Sequence, residues 1–245
     1  MKLIERIKLR HRAYKYANKD DRGGIAYVNS AIKKGQTVLD IGAHKAVYLY
    51  FMLKKVGDKG KVYAFEPQSS LYQYIKNIKG LFKWDNVTIE HLALSDSQDT
   101  VTLYIPTNKA SKTSSPEATI VKHKDHSNFG TTENVSTETL DSYCSQHNIK
   151  PNFLKIDVEG NELRIFQGGI DTLKKYKPNI IVEIEARHIG QDKVLETFKF
   201  LESIGYNGHI LHGLNRIPLT NFSFEKYQNI NEMKNYCNNF IFECP

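Results

Sequence analysis

No stretch of this 245-residue chain approaches the roughly 18 consecutive apolar residues that cross a bilayer, which excludes a transmembrane helix. The charged, apolar and small-residue blocks of a secretory leader are also missing at its start, and the expected location is the cytoplasm. Cysteine is scarce. Cys144, Cys237 and Cys244 show no metal-ligand spacing and leave one thiol over in any pairing, which argues against a disulfide scaffold and for reduced thiols. There is no internal repeat and no interdomain linker. Two phosphate-binding signatures are absent as well: no G-x-G-x-x-G turn and no G-x-x-x-x-G-K-[ST] loop occurs. The charge is not balanced, at +7, but the lysines are scattered, so a well-solvated surface explains them better than a nucleic-acid or membrane footprint.

With 40% hydrophobic residues the chain can bury one substantial core. Its organising stretch is Gln36-Thr37-Val38-Leu39-Asp40-Ile41-Gly42-Ala43-His44, an apolar run, an acid and a glycine turn. The apolar-periodic segment Val47 to Val56 follows. This is the pattern of a buried parallel strand, a tight turn and a helix. A second strand, Lys61 to Phe65, ends in Glu66-Pro67, and an acid at that tip can accept both hydroxyls of a ribose.

Strand and helix patterns then alternate. A helix from Ser69 to Ile78, a strand from Asn86 to His91 and an added strand from Thr100 to Ile105 are expected. A short helix follows near Thr139 to Cys144. Further strands are expected at Asn152 to Asp157 and Asn179 to Glu185, with a helical face of Leu163, Phe166, Ile170 and Leu173 between them. A last helix carries Val194, Phe198 and Leu201, and two edge strands are expected near His209 to Leu211 and Phe240 to Phe242. The expected fold is α/β, one doubly wound, mostly parallel sheet with an antiparallel edge strand near the C-terminus. Residues 1–20, with Lys2, Arg6, Lys8, Arg10, Arg12, Lys15 and Lys19 beside Leu3, Ile4, Ile7 and Tyr14, read as a basic peripheral helix. Weak membrane-surface association is the other reading of that segment. Gly23-Gly24 is expected to break the chain before a helix that stops at Lys34-Gly35, and residues 21–245 form the single domain. Residues 107–137, rich in Ser, Thr, Lys, His and Asn, are expected to form a loop or lid.

The turn Gly42-Ala43-His44-Lys45-Ala46-Val47 carries one glycine only, too few for a pyrophosphate to approach the backbone. S-adenosylmethionine has no phosphate and suits such a turn, with Asp40 placed to hold its amino group. V-L-D-I-G-A-H, Y-A-F-E-P, A-L-S-D, T-L-D and L-K-I-D-V-E-G-N-E occur in the order found in FkbM-type methyltransferases, and over roughly Gly35 to Glu185 the chain resembles that family.

The resemblance implies a Rossmann-like fold, S-adenosylmethionine as cofactor and methylation of a hydroxyl on a sugar, glycan or secondary metabolite. It also implies that Gly42, Ala43 and His44 lie against the methionine part. Glu66, with Pro67 shaping the turn beside it, would hold the ribose. Ala93, Ser95 and Asp96, at the tip of the third strand, would border the adenine, and Asp157 would face the sulfonium and the acceptor. Glu162 reads as an acid in a first helical turn, favoured there by the helix dipole. The turn departs from the family pattern G-A-N-x-G at His44 and Ala46. Ala46 is harmless if its backbone already has helical angles. His44 is open to three uses: holding the cofactor's carboxylate, acting on the acceptor, or packing.

A hydroxyl nucleophile profits from a general base. Asp157 ranks first, then Glu159 and Glu183, with His188 a further candidate. Alternatively Asp157 and Glu183 together hold Mg²⁺. Two other functions compete. A nucleic-acid methyltransferase would fit the basic charge, but Asp157-Val158-Glu159-Gly160 stands where such enzymes carry N/D-P-P-Y/F, and no aromatic cluster with interleaved Arg is evident. The other is a non-catalytic, ligand- or partner-binding descendant.

Overall fold

The computed structural model describes residues 2–106, 115, 117–120 and 129–245. Its strands are β1 (Thr37–Ile41), β2 (Lys61–Phe65), β3 (Val87–Glu90), β4 (Ala93–Ser95), β5 (Asp99–Pro106), β6 (Phe129–Thr139), β7 (Phe153–Ile156), β8 (Asn179–Glu183), β9 (Asn207–His212), β10 (Asn215–Pro218) and β11 (Asn239–Glu243). The helices are α1 (Lys2–Lys15), α2 (Arg22–Ala31), α3 (Val47–Val56), α4 (Ser69–Phe82), α5 (Leu140–Gln146), α6 (Glu162–Gln167), α7 (Ile170–Tyr176), α8 (Ala186–Ile189), α9 (Gln191–Ser203) and α10 (Phe224–Tyr227). A π-helical turn, Tyr16–Asp20, continues α1.

The main sheet has the order β3-β2-β1-β7-β8-β11-β9-β10. β3, β2, β1, β7 and β8 pair in parallel, β11 is antiparallel to both β8 and β9, and β10 closes the edge as an antiparallel hairpin. Alternate residues of the central strands feed two apolar layers. Leu39, Ile41, Ile180, Val182, Phe240 and Phe242 pack towards α5, α6, α7 and α9. Val38, Ile181 and Ile241 pack towards α2 and α3. That double burial is why these strands read as continuous apolar runs. The order reverses beside β1, so the carboxyl ends of β1 and β7 open the crevice where such sheets bind ligands.

Several expectations change. The segment 107–137 is not one long loop, because β6 occupies its last part and pairs antiparallel with β5, Val101 opposite Val135. The rest of the expected lid, residues 107–114, 116 and 121–128, lies outside the described residues. β4 is not the tip of the third strand but part of a second sheet, β4-β6-β5. Phe240 to Phe242 is interior, and β10 is the edge. The helical face from Leu163 to Leu173 is divided into α6 and α7 at Gly168-Gly169, where a Cβ on Gly168 would lie 2.2 Å from the Ser95 carbonyl. Gly23-Gly24 does not break the chain: both lie in α2, capped by Asp21 accepting from the Gly24 N–H at 3.0 Å. That helix ends at Ala31, before Lys34-Gly35. The N-terminal helix is not loosely attached. Leu9 and Ala13 are buried, and the Arg6 and Arg10 guanidinium groups lie over the Phe82 ring, while Leu3, Ile4 and Ile7 face solvent.

Candidate active site

The turn after β1 is held by its own backbone. The Gly42 and Ala43 N–H groups both donate to the Phe65 carbonyl at 3.0 Å. Gly42 has φ +82°, and a Cβ there would sit 1.9 Å from the Asp157 carbonyl oxygen, so a side chain is excluded twice over. The His44 N–H donates to Glu66 Oε2 at 2.7 Å, and the Gln68 N–H donates to Glu66 Oε1 at 2.9 Å. Burial raises Glu66 to about 7 despite those two donors. Ala46 does not have right-handed helical angles. It sits at φ +62°, ψ +27° as the N-cap of α3, a place suited to glycine. Its methyl is fully buried in the core with Ala43 and Leu49, so it does not crowd the pocket.

Two cavities meet at this turn. The first, about 200 Å³, is lined by Gly42, His44, Glu66, Pro67, Leu92, Ala93 and Leu94. Leu103, Ala118 and Ile120 add an apolar wall. Residues 115 and 117–120 are tied across it: Gln68 exchanges two hydrogen bonds with the Ser115 backbone, and the Thr119 hydroxyl donates to the Glu159 carbonyl at 2.8 Å. The second cavity, about 630 Å³, lies between α1, the π-helical turn and α3. Tyr16, His44, Asp157 and Glu183 line both.

Asp157 extends from β7 with its side chain one-third exposed, and its Oδ2 is 3.2 Å from Lys155 Nζ. Lys155 was missed by the sequence reading. Its ammonium is buried, donates to the Gly42 carbonyl at 2.8 Å and lies 3.7 Å from Asp40 Oδ1. Burial opposes that charge, but Asp157 and Asp40 outweigh it and raise the Lys155 pKa. Asp40 does not line either cavity. It lies beneath the turn, fully buried, and burial lifts it to about 6. The signal for this cluster was present: Lys155 and Asp157 are two apart on one strand face, and the parallel register sets Asp40 beside Lys155. Tyr16 was also missed, and only its π-helical turn marks it.

The other candidates divide. Glu183 is half-buried between the cavities, and desolvation, then the Asp157 charge and its contact with Glu185 raise its pKa well above the usual range. Burial also acts on Glu185, but hydrogen bonds from Tyr236, Asn238 and Arg187 bring it below that range. Glu159, at φ +55°, faces the first cavity and is 3.0 Å from His188 Nε2, too obliquely for a well-formed hydrogen bond. His188 stands behind Glu159 and lines neither cavity. Burial lowers His44 to about 4, leaving a neutral imidazole with a buried, unpartnered Nε2. Ser95 and Asp96 stay outside the first cavity. Ser95 is buried against Asp96, and Asp96 pairs with Arg164 at 3.1 Å. Glu162 is buried in the first turn of α6 and accepts from the Gly160 N–H at 2.8 Å. No group of three or more His, Cys, Asp or Glu suited to a metal occurs among the described residues. Asp157 faces a lysine ammonium and Glu183 an Asn238 amide, so this pair does not fit Mg²⁺.

For S-adenosylmethionine the fit is better, with a pocket that has one apolar wall, a carboxylate at the second strand tip and a glycine turn without phosphate-binding amides. The fold is that of Rossmann-like methyltransferases. The structure of methyltransferase FkbM from Methylobacillus flagellatus KT aligns with TM-score 0.55 and 14% identity over 89% of this chain and 50% of that one. This chain thus spans about half the length of that protein. A candidate rRNA methylase from Clostridium thermocellum aligns with TM-score 0.53 and 14% identity, covering 90% of this chain and 92% of that one. Aeropyrum pernix fibrillarin, solved with natively bound S-adenosyl-L-methionine, aligns with TM-score 0.50 and 9% identity over 90% of this chain and 73% of its own. No curated protein matches the sequence. The chain belongs to the FkbM methyltransferase family, a family of S-adenosylmethionine-dependent enzymes, whose domain profile matches residues 40–207. No helix among the described residues is long and apolar enough to cross a membrane.

Proposed function

We propose that this chain methylates a hydroxyl of a small molecule, a sugar, glycan or secondary metabolite, with S-adenosylmethionine as donor. The observation that carries this reading is the meeting of two cavities at Tyr16, His44, Asp157 and Glu183, one suited to the cofactor and one to an acceptor. The cofactor supplies an activated sulfonium methyl. Gly42 to His44 would border its methionine part, Glu66 would accept from the ribose hydroxyls, and Ala93 with Leu92 and Leu94 would hold the adenine.

The remaining work is positioning and removal of one proton, effects worth about 7–11 kcal/mol and about 10²–10⁴-fold respectively in well-arranged systems. Asp157 is the base, its Oδ2 fixed by Lys155 and its Oδ1 engaged by no described residue. Burial, then the Asp157 charge, favours the protonated form of Glu183, which ranks it behind Asp157 as the base. Glu159 and His188 act as a pair behind them. The basic face of α1 is the one observation that favours nucleic acid instead, and the acidic floor of the second cavity opposes it.

Calorimetric titration with S-adenosylhomocysteine, followed by transfer of labelled methyl from S-adenosylmethionine to a panel of sugars, tests the reading. Asp157→Asn is expected to abolish transfer and to leave S-adenosylhomocysteine binding within about threefold. Absence of binding by either cofactor form would make the chain a non-catalytic descendant.

A further inference from the structure

The second cavity has a polarity that the methyl transfer does not use. Lys8, His11, Arg12 and Lys15 stand at i, i+3, i+4 and i+7 on α1, which puts them on one helix face, and all four line the cavity. Lys45, from the β1 turn, also lines it, next to Arg12. Lys8 is paired with Glu5 at 2.8 Å and Lys15 with Asp20 at 3.0 Å. Arg12 and Lys45 have no carboxylate partner among the described residues. Instead the Arg12 guanidinium donates to the Lys45 carbonyl at 3.3 Å and to the Tyr74 hydroxyl at 3.3 Å, which fixes one cation beside the other. Burial, then the Arg12 charge, lowers the Lys45 pKa. Two like charges near one another and partly desolvated cost stability, and no carboxylate among the described residues forms an ion pair with either. The floor of the same cavity carries Asp157 and Glu183.

We infer that the acceptor is anionic, a sugar or metabolite bearing a phosphate or carboxylate that sits between Arg12 and Lys45 and presents its hydroxyl to Asp157. The inference rests on the proposed function of the site. A guanidinium and an ammonium side by side in one cavity match a group with two or three charged oxygens, and charge-assisted hydrogen bonds there are about twice as strong as neutral ones. A neutral sugar offers the pair hydroxyl acceptors but no negative charge to balance the two cations. The cofactor's own carboxylate is a second source of the same chemistry, since His44 and the turn border both cavities.

Glucose 6-phosphate, glucuronate and glucose, titrated by calorimetry into the full chain with and without saturating S-adenosylhomocysteine, separate these. With the homocysteine form bound, both anionic sugars are expected to bind about tenfold or more tighter than glucose. Arg12→Gln with Lys45→Gln removes the difference, Lys45→Gln alone reduces it, and Lys45→Arg keeps it, while the Kd for S-adenosylhomocysteine shifts less than about twofold. Equal binding of the three sugars overturns the inference. So does a rise of about tenfold in the S-adenosylhomocysteine Kd of the Lys45→Gln variant, which assigns the cations to the cofactor. Binding of single-stranded RNA about a hundredfold tighter than glucose 6-phosphate, with a steep salt dependence, also overturns it. If S-adenosylhomocysteine does not bind at all, the proposed function fails on its own, and the sugar titrations of the free chain still decide the anion preference.

Discussion

The two cavities are built in different ways. The first rests on strand tips: a glycine turn bonded to Phe65, a buried carboxylate gripped by two backbone N–H groups, and apolar side chains from β4 and β5. The second is walled on one side by long cationic side chains from α1, a helix that also exposes Leu3, Ile4 and Ile7. Backbone and short carboxylates set a position to fractions of an ångström. Lysine and arginine set a charge and leave its position adjustable. Under the proposed function the first wall takes one invariant molecule and the second discriminates among acceptors, and the two constructions suit those demands.

The largest effect is expected at the cation that holds Asp157, a carboxylate lining both cavities. Lys155→Met leaves Asp40 and Asp157 without their cation, and the unfolding free energy should fall by about 3 kcal/mol in chemical denaturation. A fall under about 1 kcal/mol would mean that the three charges are not coupled. Gly42→Ala attacks the first cavity alone. Its Cβ conflicts with the Asp157 carbonyl, and the S-adenosylhomocysteine Kd should rise by about thirtyfold or more while binding of glucose 6-phosphate changes little. Unchanged cofactor affinity would show that the turn relaxes freely.

Glu66→Gln should raise the S-adenosylhomocysteine Kd by about tenfold at pH 8 and less at pH 6. The pH dependence follows from burial. Glu66 and Glu162 are raised to about 7 from an ordinary value of 4.5, and Asp40 to about 6 from 3.8. The folded chain therefore holds protons that the unfolded chain has released, and these acids make the free protein less stable as pH rises towards 7. His44, lowered to about 4 from 6.5, acts in the opposite sense over its own interval, so the acids dominate above pH 6.5. Thermal melts should show a loss of about 1 kcal/mol from pH 6 to 7.5, smaller in Glu66→Gln. Cofactor affinity should rise over the same interval, because only the ionised Glu66 accepts from both ribose hydroxyls. A flat affinity profile would remove Glu66 from the ribose.

The smallest effect belongs to Ala46→Gly. Relief of a left-handed alanine, about 1 kcal/mol, is offset by the loss of a buried methyl, about 0.8 kcal/mol. Stability should move by less than about 0.5 kcal/mol and cofactor affinity by less than about twofold. A tenfold gain in affinity would show that the methyl does reach the pocket.

The first cavity was largely legible in the sequence, and the second was not. Gly42, Glu66 and Asp157 follow buried apolar runs, and a parallel sheet brings the ends of such runs to one edge. Lys155 was passed over as a surface charge, although a lysine between Leu154 and Ile156 in a fully buried strand had to find a partner. β6 has no apolar rhythm to read, because from Gly130 to Thr139 its chain alternates Thr, Glu, Asn and Ser around one apolar residue, Val135. The cationic stripe of α1 has helical spacing, but spacing alone does not say whether such a face meets water or a cavity. That depends on the π-helical turn carrying Tyr16 over the site.

The position of β11 has a consequence for how the protein is made. It is the last described strand along the chain, yet it lies between β8 and β9, both synthesised before it. Until residues 239–243 leave the ribosome, β8 and β9 each present a bare ladder of backbone groups and an apolar face. At roughly 5–20 residues per second that interval lasts seconds. Open strand edges of this kind recruit other chains. The step most vulnerable to misassembly is therefore the final insertion of Phe240, Ile241 and Phe242 into the gap left for them.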